Sequence, residues 1–81
     1  MGRRVPVAEA ITFEQLVEYG IAGGAPLVNG MPWSFTYKGK AITHEDDDCY
    51  LVDSWKGFCR FERGDWLITG KDGKLYPAKP R

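Results

Sequence analysis

The sequence predicts a mostly β (α+β) fold: a small curled antiparallel sheet or barrel of about five to six short strands with one short N-terminal helix. Two observations lead to this class. Apolar and polar residues alternate along 33–38, as in a half-buried strand. Beyond that segment, short β-prone stretches are separated by turn residues about every 8–12 positions, which is typical of small sheets and barrels. A flat antiparallel sheet with the helix across one face is the alternative.

Size and composition fit a single folded domain, 1–81. The chain has 81 residues, of which 43% are hydrophobic and 14% aromatic. A disordered chain would have fewer aromatic residues and a larger net charge. We therefore expect one modest hydrophobic core.

The N-terminal part predicts a strand followed by the helix. Val5 to Ile11 is an extended segment, and Pro6 places it at the edge of a sheet. Thr12 has the character of an N-cap residue, with Gln15 at the capping-box position. Gly20 is expected to end the helix after about two turns.

Turn residues divide the remaining chain into strands. Asn29-Gly30 is a strong turn signal, and Asp72-Gly73 predicts a type I′ turn. The predicted strand segments are 33–38, 41–44, 49–52, 58–61, 66–69 and 74–76.

The segment 49–61 predicts a hairpin with its tip at Asp53 to Gly57. Residue 51 would then pair with residue 59, and 49 with 61. One face, directed at the core, would carry Cys49, Leu51, Cys59 and Phe61. The other face would carry Tyr50, Val52, Phe58 and Arg60. This second face is too apolar for water, so Tyr50 and Phe58 are expected to mark a second layer of the monomer or a self-association surface.

The balance of basic and acidic residues limits the class of partner. Lysine plus arginine equals aspartate plus glutamate at 11 each, which argues against nucleic acid. A small nucleic-acid-binding barrel, with aromatic residues between Lys38, Lys40, Lys56 and Arg60, remains an alternative. The acidic run Glu45, Asp46, Asp47 and Asp48 could meet a basic protein surface or mimic a phosphate backbone.

Trp55 is the aromatic residue with the strongest signal for binding. It lies with Lys56 in the predicted hairpin tip, where an exposed tryptophan beside a lysine could anchor a protein interface. The alternative is that Trp55 folds back over the sheet. The binding residues predicted from the sequence are Trp55, Lys56, Glu45, Asp46, Asp47 and Asp48.

The same polar run could suggest a metal site or a catalytic centre. His44, the acidic residues and Cys49 are metal-ligand types, but neighbours on a strand point to opposite faces, and Cys59 is the only further cysteine. Pairing either cysteine with His44 for catalysis lacks a defined orienting group. We therefore expect no cofactor and no enzymatic activity, and a metalloprotein centred on 44–48 is a minor alternative.

The expected cellular compartment rests on two features that the sequence lacks. No apolar run reaches the length of a membrane span, and the N-terminus lacks the apolar core of a signal peptide. The cytoplasm is the expected compartment, where both cysteines would stay reduced.

The C-terminal part carries a recognisable pattern. Gly64-Asp65-Trp66 opens the segment 64–70, Gly73 follows, and 76–80 reads Tyr-Pro-Ala-Lys-Pro. This pattern resembles a signature shared by small uncharacterised bacteriophage and prophage proteins. Segments 30–35 and 43–45 are similar to parts of the same proteins, whereas Arg63 stands where many of them have proline. The resemblance implies a phage or prophage gene product in bacterial cytoplasm, and it implies no activity or functional residue.

These observations together predict a phage- or prophage-encoded accessory protein that binds a host protein or complex without catalysis. The resemblance, the small size and the missing catalytic residues are its grounds. The nucleic-acid-binding barrel and the metalloprotein are the alternatives.

Overall fold

The computed structural model describes residues 7–80, which form one helix and nine strands. The elements are β1 (Val7–Thr12), α1 (Phe13–Ala22), β2 (Leu27–Val28), β3 (Met31–Pro32), β4 (Ser34–Tyr37), β5 (Lys40–Asp46), β6 (Cys49–Ser54), β7 (Gly57–Glu62), β8 (Trp66–Gly70) and β9 (Leu75–Ala78).

The strands form three antiparallel sheets with the orders β1-β8-β9, β2-β3 and β4-β5-β6-β7. The mostly β (α+β) class is confirmed. Among residues 7–80 no sheet closes into a barrel, so that version of the prediction is wrong. The strand number was underestimated because the two-residue strands β2 and β3 leave almost no periodic pattern.

The start of α1 agrees with the sequence, and its end does not. Thr12 caps the helix: its Oγ1 accepts a hydrogen bond from the Gln15 N–H at 3.1 Å, and Gln15 Oε1 accepts one from the Thr12 N–H at 2.9 Å. Gly20 does not end the helix, which continues to Ala22 and is capped by Gly23. A Cβ at position 20 would lie 2.8 Å from Pro32 Cβ. Gly20 is therefore a point of close packing.

The hairpin of β6 and β7 forms, with a register one residue away from the predicted one. Tyr50 pairs with Phe61, Val52 with Cys59, and the two-residue tip follows Ser54. Because side chains alternate along a strand, this shift turns the β6 side chains to the opposite face relative to those of β7. The predicted shared face of Tyr50 and Phe58 is therefore wrong.

Exposure follows the observed register. Tyr50 and Val52 are fully buried, and Phe58 is 60% exposed. From the sequence, four residues are expected on the core face. Phe61 is fully buried, and Leu51 and Cys59 are half-buried. Cys49 is also buried, but on the other face of the hairpin, where the pairing of β5 with β6 is irregular.

Of the two tight turns predicted from the sequence, one is present and the other is not. Asn29 and Gly30 both have positive φ (54° and 80°), as the predicted tight turn between β2 and β3 requires. Asp72 lacks the positive φ of a type I′ turn, and β8 and β9 are joined by the longer segment 71–74. β1 does lie at a sheet edge, as predicted, although Val5 and Pro6 fall outside the described residues.

The core joins α1 to both larger sheets. The Phe13 ring lies 5.4 Å from that of Tyr50 and 5.7 Å from that of Phe61, measured between centroids. The Tyr50 hydroxyl donates a hydrogen bond to the Pro32 carbonyl and so satisfies its buried polar group. The fully buried core side chains also include Leu16, Ile42, Val52, Leu67 and Leu75. This core fixes the base of the β6–β7 hairpin and leaves its tip in solvent.

Candidate functional site

The tip of the β6–β7 hairpin displays the most exposed large apolar side chain in the described part of the chain. Trp55 and Lys56 lie between Ser54 and Gly57, which pair with each other. The Trp55 side chain is 64% exposed, so it does not fold back over the sheet. The sequence-based placement of Trp55 at an exposed tip is correct, although the tip is shorter than expected.

Ser54 holds this tip in a defined geometry. Its buried hydroxyl donates a hydrogen bond to the Gly57 carbonyl at 2.7 Å and accepts one from the Lys56 N–H at 3.1 Å. The same oxygen lies 3.2 Å from Cys59 Sγ on the neighbouring strand. The positive φ of Gly57, 104°, completes the turn. The sequence does not reveal this role of Ser54, because a serine in a turn has no distinctive pattern.

Lys56 places a positive charge beside the indole. Its Nζ lies 5.5 Å from the centroid of the Trp55 ring, within the range of a cation–π contact. The tip therefore combines a flat apolar surface with one cation.

A shallow hollow of about 400 Å³ adjoins the tip. β9 brings Tyr76 and Pro77 alongside the hairpin, and Cys59 contributes its thiol. Lys56 is the only charged residue in the lining, which Trp55 completes. Tyr76 and Pro77 belong to the C-terminal signature, but their position beside the hairpin depends on strand packing that the sequence does not reveal.

The acidic run lies at the opposite end of β6. Glu45 and Asp46 end β5, and Asp47 and Asp48 form the turn into β6. The six residues of β6 separate this turn from the tip by about 17 Å, at roughly 3.3 Å per residue. The structure therefore does not bring the two predicted groups of binding residues into one site.

Arginines neutralise much of this acidic run. Arg63 Nε donates a hydrogen bond to Asp48 Oδ1 at 2.7 Å, and its Nη2 donates to the Asp47 carbonyl at 2.7 Å. The Asp48 contact raises the pKa of Arg63 above its usual value. Arg60 Nη1 lies 3.8 Å from Glu45 Oε2. Arginines of the same chain therefore already contact the acidic run, and a basic partner surface would have to compete with them.

His44 is enclosed by aromatic rings rather than aimed at a ligand. Its side chain is 7% exposed and stacks on the Trp33 ring at 4.4 Å between centroids. Nε2 lies 3.5 Å from Asp47 Oδ1, but neither ring nitrogen forms a hydrogen bond within residues 7–80. In this same range, no group of three His, Cys, Asp or Glu residues could hold a metal ion.

The two cysteines are separated by the sheet. Cys49 and Cys59 point to opposite faces of the hairpin, because Cys59 pairs with Val52, which is three residues along β6 from Cys49. Burial raises the pKa of the Cys49 thiol, which disfavours the reactive thiolate. This arrangement gives neither a disulfide nor a Cys–His pair of the kind that nucleophilic catalysis uses.

Two of the four basic residues considered for nucleic acid, Lys38 and Arg60, pair with carboxylates. Lys38 Nζ lies 2.8 Å from Glu9 Oε1, and Arg60 Nε lies 3.2 Å from Glu62 Oε2. Lys56 covers the Trp55 ring. A phosphate backbone would have to compete with the carboxylates at Lys38 and Arg60.

Comparisons with protein-family models, with curated proteins and with solved structures give no match. Within residues 7–80, α1 is too short for a bilayer, and no helix has the length and apolar character of a membrane span.

Proposed function

We propose that this chain is a phage- or prophage-encoded accessory protein that binds a host protein through the tip of the β6–β7 hairpin and performs no catalysis. The observation that carries the proposal is the 64% exposure of Trp55 on a turn fixed by Ser54. The phage origin rests on the resemblance of the C-terminal signature.

The physical argument concerns the state of the tryptophan before binding. An exposed indole leaves a large apolar area in water, and its burial contributes about 25 cal/mol per Å². Because the hydrogen bonds of Ser54 already order the turn, the turn loses little additional conformational entropy when a partner encloses Trp55. Tryptophan is accordingly among the residues that dominate the binding energy of protein interfaces.

The tip also defines the chemistry of the partner. Trp55 needs an apolar pocket with an acceptor for the indole N–H, and Lys56 needs a carboxylate at the rim of that pocket. The hollow between Trp55 and Tyr76 can receive one apolar side chain in return. We therefore expect an apolar cleft with an acidic rim on the host protein.

Affinity capture from a bacterial host lysate tests this proposal. Wild-type protein and the Trp55→Ala variant are compared, with Trp66→Ala as the matched control, because Trp66 is also exposed, at 41%, but lies in β8. We expect one partner that wild type and Trp66→Ala retain at physiological salt and that Trp55→Ala loses. Capture of the same partner by all three proteins would contradict the assignment to the tip.

A further inference from the structure

β4 is an edge strand whose outer backbone groups are unpaired in the described part of the chain. It pairs only with β5, in the order β4-β5-β6-β7. The Trp33 carbonyl accepts a hydrogen bond from the His44 N–H at 2.8 Å, whereas the Trp33 N–H donates to the Pro26 carbonyl, also at 2.8 Å. By the alternation of an antiparallel ladder, Phe35 and Tyr37 then direct their backbone groups at β5. Ser34 and Thr36 therefore direct their N–H and C=O groups away from the sheet. These four groups form a ladder to which one more strand can pair.

A groove of about 580 Å³ runs along this edge. Its other wall is the end of α1 and the following loop, where Gly20, Gly23 and Gly24 keep side chains out of the space. Tyr19 and Phe35 add aromatic surface, and no charged side chain lines the groove. The space beside the edge is therefore open to an extended backbone.

The other edges of the two larger sheets carry features that discourage pairing. β1 has an irregular register between Val7 and Glu9, β7 carries Arg60 and Glu62, and β9 contains Pro77. Bulges, charges and prolines are the usual means by which proteins protect sheet edges. β4 has the sequence Ser-Phe-Thr-Tyr and contains none of them. Its shortness limits the pairing to a short segment.

We propose that the free edge of β4 binds an extended peptide segment of another protein, with a lysine or arginine of that segment directed at the C-terminal end of α1. Strand addition supplies the main-chain hydrogen bonds. The basic residue follows from electrostatics: α1 has no basic residue in its last turn, so the negative end of the helix dipole is not neutralised by its own side chains. Tyr19, 49% exposed, offers its ring to the same cation.

This edge is separate from the hairpin tip of the proposed function. β4 and β7 are opposite edges of the same sheet, so two intervening strands divide the surfaces. Loss of one binding activity without the other is therefore measurable.

Selection of short randomised displayed peptides on the wild-type protein tests the proposal. We expect enriched sequences to combine strand-forming residues with a lysine or arginine at a fixed position. Thr36→Pro removes one outward N–H but leaves the bonds to β5 intact, because proline is tolerated at a sheet edge. The enriched peptides should bind Thr36→Pro about tenfold more weakly than Thr36→Ala, which keeps the N–H.

Two further measurements keep the outcome decisive. If Thr36→Pro fails to fold, N-methylation of alternate peptide amides removes the same hydrogen bonds from the other side and should weaken binding to wild type by a similar factor. Trp55→Ala should bind the peptides as wild type does. The proposal is overturned if no peptide is enriched, if binding survives both Thr36→Pro and N-methylation, or if the enriched peptides require Trp55.

Discussion

Lys79 Nζ lies 3.2 Å from Oδ1 of the buried Asp65, and this contact joins the two halves of the C-terminal signature. Asp65 Oδ2 also accepts a hydrogen bond from the Glu62 N–H at 3.0 Å. The Asp65 N–H donates to the Glu62 carbonyl at 2.9 Å, and Gly64 adopts a φ of 93° between them. The signature residues therefore build the turn between β7 and β8 and fasten the residue that follows β9, Lys79, to it.

The first prediction concerns this turn. Asp65→Ala should lower the free energy of unfolding by about 1–3 kcal/mol, because the half-buried Glu62 N–H loses its acceptor. Urea denaturation measures the change. Asp53→Asn is the matched control, since no side-chain hydrogen bond of Asp53 occurs within residues 7–80. Lys79→Met should have a smaller effect than Asp65→Ala, because the Lys79 side chain is 71% exposed. Equal losses for both would mean that the ion pair, not the turn, is the important contact.

A second prediction distinguishes two glycines of the helix end. Gly20→Ala should destabilise the protein by about 1–3 kcal/mol, although alanine favours a helix, because the new Cβ would lie 2.8 Å from Pro32 Cβ. At Gly23 the nearest atom to a new Cβ is 3.4 Å away, so Gly23→Ala should change stability by less than about 0.5 kcal/mol. Thermal unfolding of the pair checks this. Tolerance of alanine at position 20 would refute the close approach of α1 and β3.

The register of the β6–β7 hairpin gives a third prediction. Phe61→Ala should cost about 3–5 kcal/mol, because Phe61 is fully buried. Phe58→Glu should cost less than about 1 kcal/mol, since Phe58 is 60% exposed on the other face. Chemical denaturation of both variants measures the two losses. Both registers place Phe61 on the core face, so the discriminating result is Phe58→Glu: a loss of about 3–5 kcal/mol there would support the covered second face expected from the sequence.

The fourth prediction uses the buried tyrosine of the core. Burial raises the pKa of Tyr50 to about 12 from a usual value of 10.0. The unfolded chain releases this proton at lower pH than the folded protein, so stability is complete below about pH 10 and falls as pH rises towards about 12. The loss should be on the order of 3 kcal/mol, since one pKa unit corresponds to about 1.4 kcal/mol. The difference between wild type and Tyr50→Phe in alkaline denaturation isolates it. An identical pH dependence of both proteins would show that Tyr50 ionises freely.

Local patterns were sufficient to predict several elements. The capping box of Thr12 and Gln15 and the Asn29-Gly30 turn depend on neighbouring residues alone, and both are present. The hairpin register was not predictable in the same way. It depends on whether the Ser54 hydroxyl bonds the Lys56 N–H and thereby shortens the tip, and a shift of one residue turns every β6 side chain to the opposite face relative to β7.

Long-range packing explains the remaining differences. Gly20 is a packing residue only because Pro32 lies against it, and His44 is removed from solvent by the Trp33 ring. In the candidate site, Trp55 and Lys56 could be named from the sequence, whereas Tyr76 could not, because β9 is brought beside the hairpin by the whole fold.

The affinity of Trp55→Ala for the captured partner tests the central claim most directly. Isothermal titration calorimetry on the purified partner should show a loss of at least about thirtyfold relative to wild type, equivalent to roughly 2 kcal/mol, as expected for an anchoring tryptophan. Trp66→Ala should bind within about threefold of wild type, and both variants should remain folded. A Trp55→Ala protein that binds as tightly as wild type would contradict the assignment of the hairpin tip as the binding site.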